Sequence, residues 1–159
     1  MVKGFRLKIE GTHKIEAPRE RVFAALTDPS VLQKCIPGCE QMEKTGENQY
    51  NAKLTAGVGP VKGVFTATVS LAEIVPPEHY KLVVEGKGQP GFVKGSGELN
   101  LKDADTATEI QYTGEVNIGG LIATVGQRML QATANMLLTR FFKALEAEVK
   151  AEPKLSTGT

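Results

Sequence analysis

The sequence of 159 residues has few of the residues that metal and redox sites need. It contains two cysteines, two histidines and no tryptophan. Cys35 and Cys39 do not form a C-x-x-C pair, and no second pair of cysteines or histidines could complete a zinc site. We therefore expect no metal site, no covalently bound cofactor, and two reduced cysteines in or near the core.

A strong charge bias and long apolar runs are also absent. Nineteen Lys and Arg residues against eighteen Asp and Glu give a formal charge of +1. Nucleic-acid binding needs a basic excess on one face, so nucleic acid is not an expected partner. No secretion signal is present, and no stretch approaches the roughly 18 apolar residues of a membrane span. The sequence predicts a cytoplasmic protein, with contact to the inner face of the membrane still open.

Alternation of apolar and polar residues predicts an antiparallel sheet. One face of the first strand, between Phe5 and Ala17, carries Phe5, Leu7, Ile9, Gly11, His13 and Ile15. Five later segments between residues 48 and 118 alternate in the same way. Each such strand has one buried and one solvent-exposed face, so we expect an antiparallel sheet that is covered on one side. Two short helices are predicted after the first strand, at residues 18–26 and 30–35.

A long helix is predicted from Leu121 to about Lys150, where the chain has no proline and a single glycine, Gly126. About thirty helical residues span roughly 45 Å, enough to cross the sheet. Two apolar stripes follow the helical period: Ile122, Val125, Met129, Ala132 and Met136, and then Leu138, Phe141, Leu145 and Val149. The order of elements predicts an α+β fold with about six to seven strands curved around the helix. Residues 1–150 are expected to form one domain, and residues 151–159 a short polar tail.

A concave sheet and a straight helix cannot touch along their whole length, so we expect a cavity under the first half of the helix. The predicted ligand contacts are Phe65, Leu82, Phe92, Tyr112, His13, Ile122, Val125, Met129, Ala132 and Met136. His13 is either a core histidine that is hydrogen-bonded to neighbouring backbone or a hydrogen-bond partner of the ligand. The methionines are either ordinary core residues or ligand contacts. The inner faces carry no paired carboxylates, so we predict no catalytic residue.

Glycines cluster at one end of the predicted sheet, at Gly57, Gly59, Gly63, Gly88 and Gly91. Glycine inside a strand marks a bulge, a bend or a close approach. One interpretation is that these glycines let the sheet curl. The other is that loops 57–63 and 86–95 form a movable gate, with Phe92 exposed to cover a ligand or touch lipid.

Four segments carry a resemblance to a known family. They are "APRERVFAALTDPSVLQKCIPGCE" (17–40), "GVGPVKGVF" (57–65), "GFVKGSGELNL" (91–101) and "GGLIATVGQRMLQATANMLLTRFFKAL" (119–145). In this order they are similar to the CoxG family of carbon monoxide dehydrogenase subunits. The order of elements resembles the helix-grip fold of the START and birch-pollen-allergen (SRPBCC) superfamily.

The resemblance implies a cavity protein without a metal of its own that assists a molybdenum hydroxylase of the carbon monoxide dehydrogenase type. It also implies handling of a respiratory quinone in maturation of the enzyme or in its contact with the membrane. Family members often continue into a Pro-rich tail that sometimes has a membrane-seeking end. The segment "AEPKLSTGT" is too short and polar to serve as such an anchor.

Three functions are consistent with these observations. The first is a non-enzymatic carrier of an apolar molecule such as a quinone or a lipid. The second is an enzyme of the same superfamily, a cyclase or an aromatic-substrate hydrolase. The third is an assembly scaffold with a vestigial cavity. The lack of inward carboxylates and of a second inward histidine favours the carrier.

Overall fold

The computed structural model describes the backbone of residues 5–157 and the side chains of residues 5–150. The elements follow the order β1 (Phe5–Ile15), α1 (Arg19–Leu26), α2 (Pro29–Cys35), β2 (Cys39–Gly46), β3 (Gln49–Val58), β4 (Val61–Val75), β5 (His79–Gly88), β6 (Gly91–Ala104), β7 (Ala107–Gly119), a 3-10 helix (Leu121–Val125) and α3 (Gln127–Thr157).

The seven strands form one antiparallel sheet in the order β1-β7-β6-β5-β4-β3-β2. Strands β2 to β7 are consecutive hairpins, and β1 pairs with β7 from Phe5 opposite Ile118 to Ile15 opposite Thr108. The sheet curves around the long helix α3. The predicted α+β helix-grip architecture, with two short helices after the first strand, is confirmed.

Helices α1 and α2 close one end of the molecule. Pro18 precedes α1, where a missing N–H costs nothing, and α1 buries Val22, Phe23 and Leu26. The Asp28 carboxylate caps α2 by accepting a hydrogen bond from the Ser30 N–H at 2.9 Å. Both helices pack into the buried cluster that includes Leu145 and Val149 of α3.

The core is divided into three clusters rather than one. The first lies beneath α1 and α2, around Ile15, Ile110 and Leu145. The second lies at the opposite end of the sheet, and its members are Leu7, Val58, Phe65, Ile118, Ile122, Ala123 and Leu130. The third lies near the β2 edge, around Met42 and Tyr50. A domain usually has one contiguous core, so this division leaves interior space between the clusters.

Two elements differ from the prediction. Strand β2, the seventh strand, lies where the alternation predicts none, because Met42 is its only buried residue. The predicted helix from Leu121 is interrupted at Gly126, whose φ is +98°. A short 3-10 helix precedes that glycine, and α3 follows it and continues beyond Lys150 to Thr157. Within the described residues, no helix is both long and apolar enough to cross a membrane.

Candidate functional site

The centre of the concave face lacks side chains. In the register, Gly97 of β6 pairs directly with Gly114 of β7, and Leu82 and Ile9 flank this pair. A Cβ atom on Gly97 would lie 2.9 Å from the Thr113 carbonyl oxygen. A Cβ atom on Gly114 would lie 2.8 Å from the Ser96 carbonyl oxygen. Any larger residue would therefore force the strands apart, and with glycine at both positions the space between them and α3 stays unfilled.

A cavity of about 350 Å³, which we call the tyrosine chamber, occupies this space. Its walls are almost wholly apolar and include three tyrosines, Tyr50, Tyr80 and Tyr112. Helix α3 contributes Leu138, Phe141 and Phe142. The two short helices contribute Leu26 and Leu32, and Ile36 follows the end of α2. The inner side chains Leu71, Leu82 and Val84 are only half-buried, because they face the cavity rather than packed neighbours.

Two of the three tyrosine hydroxyls are bound to backbone. The Tyr50 hydroxyl donates to the Thr27 carbonyl at 2.9 Å, and the Tyr80 hydroxyl donates to the Leu26 carbonyl at 3.4 Å. Burial raises the pKa of both tyrosines above the ordinary value, so both hydroxyls stay protonated at neutral pH. The Tyr112 hydroxyl lies over Gly11 and has no hydrogen-bond partner among residues 5–150.

A second cavity of about 250 Å³, which we call the aliphatic chamber, lies toward the other end of the sheet. Its sheet walls include Leu7, Leu54, Val58, Phe65 and Ile118, and Ile122 of the 3-10 helix lies against it. Helix α3 contributes Leu130, Thr133, Ala134 and Leu137. Four side chains, Ile9, Val84, Val93 and Val116, line both chambers. The chambers are therefore neighbours.

His13 lies outside the chamber walls. Its ring stacks on Phe142 with centroids 5.2 Å apart, and Tyr112 also stacks on Phe142 at 5.0 Å. The buried Nε2 atom of His13 has no hydrogen-bond partner among the described residues and lies 3.9 Å from Glu146 Oε1. His13 can thus influence the tyrosine chamber through Phe142, but it lines neither chamber.

The predicted ligand contacts divide into two groups. Leu82 and Tyr112 line the tyrosine chamber, and Phe65 and Ile122 line the aliphatic chamber. Val125 packs against the core cluster at that end, outside both chambers. That these residues bind a ligand stays a proposal.

The prediction that Met129, Ala132 and Met136 face the cavity is wrong. All three are exposed, Met129 at 44% and Met136 at 48% of their surface. The break at Gly126 explains the error. Counting steps of three and four residues from Ile122 assumes one continuous helix, but α3 begins only after Gly126, so the counted positions fall on the wrong face. The inward face can be found by extending the stripe of Leu145, Phe141 and Leu138 backwards. Steps of four residues lead to Ala134 and Leu130.

Phe92 and the gate glycines lie at the end of the sheet near the 3-10 helix. Phe92 is 44% exposed, lines neither chamber, and lies over Gly119 of the neighbouring strand. The predicted loops 57–63 and 86–95 are tight hairpins with turns at residues 59–60 and 89–90. Gly57 and Gly63 lie within strands, Gly88 ends β5, Gly91 begins β6, and Gly59 occupies a turn with φ +60°. The Pro90 carbonyl accepts a hydrogen bond from the Ile122 N–H at 2.6 Å. Gating by these turns stays a prediction.

The two thiols are free and poorly disposed to react. Burial, with a smaller contribution from Glu148, raises the pKa of Cys35 to about 11. Burial also raises the pKa of Cys39. The thiolate is the reactive form, so both cysteines are weak nucleophiles at neutral pH. Among the residues that the structure describes, no three His, Cys, Asp or Glu side chains are grouped to hold a metal ion.

Comparison with known proteins identifies the family. Residues 11–150 match the family of carbon monoxide dehydrogenase subunits called CoxG. The chain belongs to the CoxG family. A crystal structure of a conserved protein from Geobacillus kaustophilus is 40% identical, with a TM-score of 0.87, and the match covers 91% of this chain and 96% of that one. No curated protein sequence matches this CoxG-family chain.

More distant structures share the fold alone. The Zhui aromatase/cyclase from Streptomyces sp. R1128 is 16% identical, with a TM-score of 0.69 over 92% of this chain and 94% of that one. Ara h 8.0201 is 18% identical, with a TM-score of 0.66 over 92% of this chain and 99% of that one. The CoxG-family chain therefore shares its fold with these proteins.

Proposed function

We propose that this chain is a non-enzymatic carrier of an apolar molecule, a quinone or a lipid-like compound. The carrier would support a molybdenum hydroxylase of the carbon monoxide dehydrogenase type. The observation that carries the proposal is the pair of apolar chambers beneath α3. Membership of the CoxG family supports the choice of partner. Maturation of the enzyme, its recruitment to the membrane and transfer of electrons are the roles that such a carrier could serve.

Apolar contact supplies most of the binding free energy that these walls can offer. A ligand that buries on the order of 300 Å² gains roughly 7 kcal/mol at about 25 cal/mol per Å². Association and ordering cost about 4 kcal/mol or more, which leaves about 3 kcal/mol or less. Because micromolar affinity needs about 8 kcal/mol, a cargo bound at that level must bury on the order of 500 Å² of apolar surface.

The chamber walls favour a carrier over a cyclase or a hydrolase. Either enzyme needs a general base beside an acid or a nucleophile. Tyr50 and Tyr80 are protonated and bound to backbone carbonyls. Glu98 borders the tyrosine chamber from an outward-facing strand position, with its carboxylate 3.9 Å from His79 Nε2. His13, the inward histidine, lies outside the walls.

Contact with the inner face of the membrane is part of the proposal. The hairpin turns 59–60 and 89–90 and the 3-10 helix form a turn-end surface. It exposes three apolar side chains, Phe92, Leu121 and Met129, beside three basic ones, Lys62, Lys87 and Arg128. Segments 57–64, 86–93 and 117–129 contain no acidic residue. The apolar side chains can insert into a lipid surface, and the basic side chains are attracted to anionic headgroups.

The test is mass spectrometry of organic extracts from protein purified without detergent. Ala134→Phe places a ring in the aliphatic chamber, whereas Ala132→Phe makes the same change on the exposed face of the same helix. We expect a stoichiometric quinone or lipid in extracts of the unmodified protein and of Ala132→Phe, and its loss from Ala134→Phe.

A pulldown of the hydroxylase separates the carrier from a scaffold. We expect Ala134→Phe to retain the enzyme while failing to support its activity. An unmodified protein that stays empty after incubation with membranes, yet still supports the enzyme, would overturn the carrier and favour the scaffold.

A further inference from the structure

The outward side of α3 carries apolar and basic side chains in one continuous line. Helical spacing places five exposed residues along it, and we call them the α3 outer face: Met129, Ala132, Met136, Arg140 and Lys143. The first three are apolar and the last two are basic. The chain has eighteen Asp and Glu residues, yet residues 116–145 contain none of them. The α3 outer face is therefore an apolar strip that continues into uncompensated positive charge.

The basic part of the α3 outer face has no ion-pair partner within residues 5–150. The ion pairs of α3 in that range all involve Glu146 or Glu148, and Arg140 and Lys143 take part in none. An apolar strip beside free basic side chains is complementary to an apolar contact that is rimmed by carboxylates. A second copy of this chain would bring the same positive charges against the face, so charge opposes self-association here.

The α3 outer face lies across the helix from the chamber walls. Ala134 and Phe141, on the inner side of α3, line the aliphatic and the tyrosine chamber respectively. Because a helix is about 10 Å thick, a protein bound to the outer face would be separated from the cargo by this one element. Such a position suits an enzyme that works together with the cargo.

The basic part of the outer face also lies away from the turn-end surface. Met129 belongs to both surfaces, whereas Lys143 lies four turns further along α3, roughly 21 Å at 1.5 Å per residue. A membrane that contacts the turn end therefore leaves Arg140 and Lys143 open to a protein. This separation favours a protein over a lipid surface as the occupant of the α3 outer face.

We propose that the α3 outer face is the docking surface for the molybdenum hydroxylase. The enzyme places an apolar side chain against Ala132 and Met136, and acidic side chains against Arg140 and Lys143. Methionine suits the centre of such a contact, since its flexible side chain adapts to the shape of the partner. This inference rests on the proposed function and adds the place and the chemistry of the contact with the enzyme.

Biolayer interferometry with the intact hydroxylase of the same organism, immobilised on the sensor, tests the inference. Met136→Glu puts a carboxylate into the apolar part, and the double variant Arg140→Glu with Lys143→Glu reverses the basic part. Each should weaken Kd by about tenfold or more, the double variant mainly through slower association. Added salt should slow association of the unmodified protein but not that of the double variant.

Matched variants provide the controls. Lys44→Glu with Lys53→Glu makes the same change of charge at exposed positions of β2 and β3, and Val83→Glu places a carboxylate at an exposed apolar position of β5. Both should bind the enzyme like the unmodified protein. Arg140→Lys with Lys143→Arg keeps the charge and should also keep binding. Circular dichroism checks the fold, and mass spectrometry of extracts should find the cargo in every variant, because no change lies in a chamber.

Three results would overturn the inference, and they differ in what they leave standing. If Met136→Glu and the double charge reversal bind the enzyme as tightly as the unmodified protein, the docking surface is wrong and the carrier function stands. If the double variant keeps the enzyme but loses binding to vesicles that contain phosphatidylglycerol, the α3 outer face is a membrane contact instead. If the unmodified protein does not bind the hydroxylase, both the docking surface and the proposed partner are wrong.

Discussion

Two glycines determine how much open space the interior of this protein contains. Gly97 and Gly114 face each other across β6 and β7 at the centre of the concave face. Their backbones lie so close that a Cβ atom on either one would crowd the carbonyl oxygen of the opposite strand. The same pair thus draws the strands together and leaves the tyrosine chamber open.

Gly114→Ala should destabilise the fold. The added methyl group would lie 2.8 Å from the Ser96 carbonyl oxygen, so β6 and β7 must separate to admit it. We expect the free energy of unfolding to fall by about 1–3 kcal/mol, as is usual for overpacking. Urea denaturation followed by circular dichroism measures the change.

Gly46→Ala is the matched control, since a Cβ atom there would lie an ordinary 3.6 Å from Gln49 Oε1. This variant should be neutral or more stable by up to about 1 kcal/mol, because alanine restricts the unfolded chain. Equal losses of stability in the two variants would show that crowding at Gly114 has no special role.

At the scale of elements, α3 presents two apolar faces and buries one. Leu130 is 2% exposed and Met136 is 48% exposed. Leu130→Ala should lower the free energy of unfolding by about 2–5 kcal/mol, as for other large-to-small changes in a core. Met136→Ala should change it by less than about 0.5 kcal/mol, as for most surface positions. Thermal and urea unfolding of the two variants give the comparison.

A larger loss from Met136→Ala than from Leu130→Ala would mean that α3 is rotated. The methionine face would then lie against the sheet, as the sequence alone suggests. The assignment of the chamber walls on this helix depends on that result.

The sequence predicts those elements in which the pattern of burial is strong. The alternation of Leu7 and Ile9 with charged residues predicts β1 and its inward face, and the stripe ending at Val149 predicts the second half of α3. Strand β2 escapes detection because Met42 is the only buried residue among its eight. Periodicity alone does not show which face of the first half of α3 is buried. One stripe begins at Met129 and another at Leu130, and the two stripes are similarly apolar.

The candidate site is predictable only in part, for a related reason. Alternation identifies Leu82 and Tyr112 as inward residues on their own strands. The wall that the two chambers share depends on the register of three strands, which sets Val84 and Val116 on either side of Gly95. The register of a hairpin follows from the type and length of its turn, so it can be predicted only after each turn has been located to the residue.

At the scale of the whole molecule, charge and exposed apolar side chains are distributed unevenly. The chain has a formal charge of only +1, yet the turn-end surface has Lys62, Lys87 and Arg128 without an acidic residue in its three segments. The aliphatic chamber ends beneath this surface at Ile122. A membrane bound here would lie beside the aliphatic chamber.

Lys62→Gln combined with Lys87→Gln should weaken binding to vesicles that contain phosphatidylglycerol by about tenfold or more. Each basic residue near an anionic surface contributes about 1 kcal/mol. Added salt should weaken binding of the unmodified protein in the same way. Co-sedimentation with phosphatidylcholine vesicles, with and without phosphatidylglycerol, gives the measurement.

Val75→Ser is the control for this experiment, because Val75 is 50% exposed and precedes the β4–β5 turn at the opposite end of the sheet. Its binding should equal that of the unmodified protein. If the double variant also binds like the unmodified protein, the turn-end surface is not the membrane contact.

The pairing of β1 with β7 has a consequence for synthesis on the ribosome. Residues 5–15 are synthesised before their partners on β7, which follow about ninety or more residues later. At about 5–20 residues per second, the first strand waits roughly 5–20 s for its partner. During this time its alternating apolar face has no sheet to cover it, so the nascent chain offers a binding segment for chaperones until β7 has left the exit tunnel.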